Sequence, residues 1–162
     1  MSFSLSDAAT FGVFLGAVAA AALFAGQWAG NDWYRNLDKP SFTPPDWAFP
    51  VAWSILYLMI ATAGWFVWMA PESGNRTAAL NFWYGQIFIN AVWSYIFFGR
   101  KQLDVALVTL TMMWALIIGF IMSALLIDQR AALLFIPYLI WVTYAGLLNA
   151  VILLMNPNPQ YS

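Results

Sequence analysis

The chain has 162 residues, of which 63% are hydrophobic and 8% charged, and its net charge is −1 at pH 7. A water-facing domain carries roughly 25% charged residues, so this composition belongs to a protein whose solvent is lipid, and it offers no basic footprint for nucleic acid. Cys and His are both absent, which excludes disulfides, thiolate nucleophiles and His-based hydrolytic triads, and removes the commonest ligands of zinc and haem iron.

The N-terminal MSFSLSDAAT lacks the positive region of a secretory signal, and the apolar run behind it is too long for one. A membrane-spanning helix needs about 20 predominantly apolar residues. Five runs qualify, predicting a single domain over 1–162: an all-α integral membrane protein with five transmembrane helices at about 8–26, 44–69, 77–98, 105–127 and 131–155. The later linkers are short, so consecutive helices are expected as antiparallel neighbours.

The connection over 27–43 is different, and the sequence marks it as a lid. The stretch NDWYRNLDKPSFTPPDWAFPVAW (31–53) holds four of the eight prolines and three of the ten tryptophans. Long connections are usually functional or disordered, and this one is too aromatic for disorder. Pro40 and Pro44 stiffen it, which favours holding Trp33, Tyr34 and Phe42 over a pocket mouth. Thr43 is the expected cap of the second helix, with Pro44 and Pro45 in its first turn. Pro137 should kink the fifth helix, and Pro157 with Pro159 marks its end. Arg35, Lys39, Arg100 and Lys101 lie on the lid side, against Arg76 and Arg130 on the other, which favours a cytoplasmic lid and C-terminus.

Helical spacing gathers polar and aromatic groups on three faces. Phe49, Trp53 and Tyr57 share one; Gln86, Asn90, Trp93 and Phe97 a second; Tyr138, Trp141, Ala145 and Asn149 a third. At about 1.5 Å of rise per residue, these faces reach similar depths beneath the lid. Trp28, Trp47, Trp65, Trp68 and Trp83 fit an interfacial belt. Trp53, Trp93, Trp114 and Trp141 lie deeper, where each alone fits core packing as well as a site. Asn90 and Asn149 equally fit simple cross-helix hydrogen bonds. Taken as a cavity, the cluster suits a flat, apolar, conjugated ligand. The spans bury no charge, which argues against ion pumps and proton-coupled carriers.

Three segments carry a resemblance across essentially the whole chain: WYRNLDKPSFTPPDWAFPVAWSILY (33–57), NAVWSYIFFG (90–99) and PYLIWVTYAGLLN (137–149). In these the chain resembles the TspO/MBR family, the tryptophan-rich sensory proteins of bacteria and the mitochondrial translocator protein, formerly the peripheral benzodiazepine receptor. The resemblance implies a five-helix homodimer whose pocket, covered by the first loop, binds protoporphyrin IX or haem as ligand, with no cofactor or metal required. It makes the protein a sensor or regulator of porphyrin and oxidative stress; passive movement of porphyrin, lipid or sterol is the alternative. By motif position, the family's pocket residues correspond to Tyr34, Trp53, Asn90, Trp141 and Ala145; with the helical faces and the lid, the expected ligand-binding residues are Tyr34, Phe42, Phe49, Trp53, Asn90, Trp93, Phe97, Tyr138, Trp141, Ala145 and Asn149. Trp53 and Trp141 correspond to tryptophans implicated in slow, light- and oxygen-dependent porphyrin breakdown. Where some members carry two loop tryptophans, this chain has Ser41 and Phe42. No basic residue follows Arg130, so the sterol motif of mitochondrial members is absent. The resemblance points to the third helix for dimerisation, through Ala78, Ala79, Gly85 and Ala91. Gly12-xxx-Gly16 followed by Ala20 on the first helix is the competing surface, though packing against the second helix is the favoured use of that stripe.

Overall fold

The computed structural model describes residues 4–157, and every regular element in that range is helical. The helices are α1 (Leu5–Gly26), the short α2 (Asp32–Asn36), α3 (Ala48–Met69), α4 (Gly74–Ser94), α5 (Leu103–Leu125) and α6 (Gln129–Met155). A π-helical turn, Tyr95–Gly99, prolongs α4. Ser4 and Asp7 close α1 with a reciprocal capping box. Ser73 caps α4 and Asp128 caps α6. The side-chain hydrogen bond from Arg130 holds the Asp128 carboxyl below its usual range. Arg76 folds back to donate twice to the Trp68 carbonyl, at 3.1 and 2.8 Å, and so closes the end of α3.

The second long helix begins later than expected, at Ala48 rather than Pro44. Thr43 and Pro44 each precede a proline and are thereby disfavoured in the α region. Thr43 is not the cap; its N–H and hydroxyl donate to the Pro40 carbonyl at 2.9 and 2.8 Å, making a turn. Pro50 falls in the first turn of α3, where a missing N–H costs nothing. The connection itself is partly helical, because Asn31 caps α2 by accepting from the Tyr34 N–H at 3.0 Å. α6 continues for 27 residues through Pro137. Pro159 lies outside the described residues.

Four helices, α1, α3, α5 and α6, are long and apolar enough to cross a membrane. α4 is long enough but diluted by Asn75, Arg76, Asn81, Gln86 and Asn90. Composition therefore supports four of the five expected spans. The long helices close a ring: α1 packs on α3 and α4, α4 on α5, α5 on α6, and α6 on α3.

The core of the ring corrects the reading of one tryptophan. Trp83 is fully buried rather than interfacial. Its indole N–H donates to the Ile60 carbonyl at 2.8 Å, and its ring lies on Gly64, where a Cβ would come within 2.5 Å of it. Only glycine leaves room for that contact. Nearby, Phe120 of α5 and Phe135 of α6 stack at 3.8 Å. The small residues of α1 are also corrected. A Cβ at Gly12 or Gly16 would meet nothing within 4 Å, so this stripe does not serve packing against α3. The small residues of α4 divide: Ala79 is buried in the core and Gly85 abuts Leu116.

Candidate functional site

At the end of the ring nearest α2 lies a cavity of about 530 Å³. Its aromatic walls follow from the i, i+4 rows of three elements. α3 contributes Phe49, Trp53 and Tyr57; α4 with its π turn contributes Asn90, Trp93 and Phe97; α6 contributes Trp141, Ala145 and Asn149. Room for the cavity comes from α1, which offers only Ala22, Ala25 and Gly26 on this side. The rings are packed edge to face: Trp53 and Trp141 at 6.5 Å and 84°, Phe49 and Trp141 at 6.0 Å and 75°. Trp93 and Phe97 lie at 5.2 Å, tilted by 36°. Edge-to-face packing adds to burial and fixes ring orientation, so the walls are set before any ligand arrives.

The amides are tied into the frame. Asn90 accepts from the Tyr57 hydroxyl at 3.0 Å and donates to the Tyr138 oxygen at 3.3 Å. The Trp93 indole donates to Asn149 at 3.4 Å, and Asn149 donates to the Leu103 carbonyl at 2.8 Å, joining α4, α6 and α5. Both amides therefore make the cross-helix bonds that the plainer reading expected, and both also border the cavity.

Nine of the eleven predicted binding residues border the cavity: Tyr34 and the eight named above other than Tyr57. Two do not. Phe42 is 46% exposed, with its ring 6.5 Å from that of Tyr144, whose hydroxyl donates to the Phe42 carbonyl at 2.6 Å. Tyr138 is fully buried behind Trp53, its hydroxyl donating to Gln86 Oε1 at 3.0 Å. The one-turn offset between Tyr138 and Trp141 carries the former below the cavity floor. Trp33 is also buried away from the mouth, edge-on to Phe97 at 6.0 Å.

Among the described residues, the charged groups on the lining are Arg35 and Asp46, both at the mouth. Arg35 meets Asp32 at 3.5 Å in an exposed pair, which contributes little and leaves the guanidinium free to turn. Lys39 is committed elsewhere: its ammonium donates to the carbonyls of Tyr34, Arg35 and Leu37 at 2.8–3.0 Å, ending α2. Pairing with Asp38 or with an anionic ligand is thus not its use in this structure. Burial pushes the Tyr34 phenol up to about 12, with Asp46 and Tyr144 adding to the shift. Among the described residues, no three acidic side chains gather as a metal site requires.

Sequence reasoning missed the residues that hold the connection in place. Asn156 donates to the Asp38 carbonyl at 2.9 Å and accepts from the Asp38 N–H at 3.0 Å. Asn31 donates to the Phe98 carbonyl at 3.0 Å. Ser94, also on the cavity wall, donates to the Ala25 carbonyl at 2.9 Å. The available signal was an Asn immediately after the last apolar turn of α6 and before Pro157.

The model of the TspO/MBR family matches residues 10–155. The chain is 37% identical over 152 residues to the tryptophan-rich sensory protein of Cereibacter sphaeroides, covering 94% of both chains. It is 36% identical over 151 residues to protein CrtK of Rhodobacter capsulatus, covering 93% of this chain and 94% of that one. Similarity extends to the translocator protein of Bos taurus, 32% over 122 residues, covering 74% and 72% respectively.

Proposed function

The chain belongs to the TspO/MBR family of membrane proteins, and on that premise we propose that its cavity binds a flat, conjugated tetrapyrrole of the protoporphyrin IX or haem kind. The observation that carries this reading is the lining itself: Trp53, Trp93, Trp141 and Phe97 as stacking walls, neutral amides among them, and charge only at the mouth. Such a site takes an apolar ring system in the interior and leaves its anionic groups beside Arg35. The names of the relatives, sensory protein and translocator protein, fit a ligand-reporting role in the membrane. Under this reading porphyrin is a ligand, not a cofactor.

The residues 27–47 act as a lid over the mouth, held by Asn31 and Asn156. α4 is the fifth span, with its polar side chains Gln86 and Asn90 turned inward. The lid and the C-terminus face the cytoplasm, and the protein works as a homodimer. The exposed Gly12–Gly16 face of α1 is the better dimer surface, since α4 spends Ala79 and Gly85 on internal packing. Slow, light-dependent breakdown of bound porphyrin, with molecular oxygen as the oxidant, involves Trp53 and Trp141, the two indoles in mutual contact at the wall.

The test is direct. Adding protoporphyrin IX to purified protein quenches tryptophan emission saturably, and Trp53→Ala with Trp141→Ala weakens the binding. Unchanged affinity in that double variant would sink this site.

A further inference from the structure

Outside the ring, α3 and α6 leave a second groove of about 370 Å³. Ala52, Ile55 and Met59 line it from α3, and Pro137, Ile140 and Tyr144 from α6. Ile55 and Ile140 are 57% and 65% exposed. Trp141 lines both this groove and the inner cavity, so between the two spaces stands one indole. Of the lining side chains only Trp141 and Tyr144 carry an N–H or O–H, and the Tyr144 hydroxyl already donates to the Phe42 carbonyl. An occupant is therefore held mainly by apolar contact. Both helices are apolar enough to cross a membrane, so what reaches the groove is the hydrocarbon of the bilayer.

We propose that this groove binds an acyl chain of a membrane lipid, and that the chain braces the outer side of Trp141 so that the indole stays closed as the cavity wall. Pro137 lies one turn before Trp141 and lacks the N–H that would bond the Leu133 carbonyl, which frees this part of α6 to yield when the groove is empty. Tyr144 extends the effect to the connection through Phe42. The bracing has a functional consequence only on the reading that the cavity binds a ligand; occupancy of the groove does not depend on it.

The experiment places the full chain in nanodiscs of linear-chain phosphatidylcholine or of diphytanoyl phosphatidylcholine, whose methyl branches make each chain bulkier. Protoporphyrin IX release is expected to be about threefold faster in the branched lipid, since differences at one site fall mostly in the off-rate. Ala52→Phe and, separately, Ile140→Phe fill the groove from either wall and should give slow release in both lipids. Equal wild-type rates, or a lipid difference that survives both filled variants, overturns the bracing. Occupancy is read separately, with lipid brominated at mid-chain: the emission lost in Trp141→Phe isolates Trp141. Bromine should quench that component in the wild type and spare it in the filled variants. An unquenched Trp141 overturns the site. Failure of porphyrin to bind at all would overturn the cavity reading and leave the quenching to decide the groove.

Discussion

The side-chain amide of Asn156 pairs with both backbone polar groups of Asp38, donating at 2.9 Å and accepting at 3.0 Å across 118 residues of chain. The last turn of α6 thereby holds the middle of the connection as a neighbouring strand would. Asn156→Ala leaves the N–H and C=O of Asp38 without partners, at a cost of about 1–3 kcal/mol. Amide exchange should accelerate at Asp38 while the long helices keep their protection. Porphyrin should leave faster with little change in association, as measured by stopped-flow fluorescence. Asn156→Asp, which keeps the acceptor and loses the donor, should fall between the two.

Glycines of one chain should respond oppositely to the same substitution. At Gly64 an added methyl lies 2.5 Å from the Trp83 indole nitrogen and 2.7 Å from Phe14, with no flexible neighbour to give way. Gly64→Ala should cost about 1–3 kcal/mol as overpacking and break the bond from Trp83 to Ile60. Gly16→Ala meets nothing within the chain and should gain up to about 1 kcal/mol of helix propensity. Thermal unfolding in detergent separates the two. If a second copy covers α1, Gly16→Leu gives a folded monomer by light scattering; a dimer that persists would clear this face of the role.

Tyr138→Phe tests the separation between cavity and support. The lost hydroxyl is the partner of Gln86 Oε1 and lies beside Asn90 and Met113. Gln86 is fully buried, and its Nε2 already has no partner among the described residues. Removing its remaining bond should cost about 1–3 kcal/mol. Porphyrin affinity should stay the same, because Trp53 stands between Tyr138 and the cavity. A large affinity loss at unchanged stability would put Tyr138 in the site after all.

The phenol of Tyr34 gives a pH signature. Unfolded, it ionises near 10; folded, burial keeps it protonated up to about 12. Its contribution to stability is therefore fully present below pH 10 and lost as the pH rises through 12. Ultraviolet difference titration of wild type against Tyr34→Phe should show one phenol ionising near the higher value. A midpoint near 10 would mean that the side chain is solvated and the connection open.

The long apolar runs and the three cavity faces were legible in the sequence because each depends on local period and composition. Trp53, Trp93 and Trp141 could be grouped by counting residues. The start of α3 was misjudged because a proline pair resembles a first helical turn, whereas here Thr43 closes on Pro40. Trp83 reads as part of the interfacial belt because tryptophan favours that zone; its burial depends on Gly64, which stands 19 residues earlier on another helix. The grip of Asn156 on Asp38 and the commitment of Lys39 to three carbonyls are tertiary facts. No periodicity announces them.

The π-helical turn at Tyr95–Gly99 has a consequence for how this wall tolerates insertion and deletion. A π turn accommodates one residue more than the α-helix it interrupts, and here that surplus sits where Phe97 meets Trp33, Tyr34 and Trp93. An ordinary helix has no room for that surplus: wound as α-helix with all its residues, the end of α4 would be turned by about 100° beyond the turn. Phe97 would then swing out of the wall, and the Phe98 carbonyl would leave the reach of Asn31. In evolutionary terms the turn marks an absorbed insertion: point substitutions can tune the ligand face, while a codon gained or lost in the regular turns of α4 before it would re-aim Phe97.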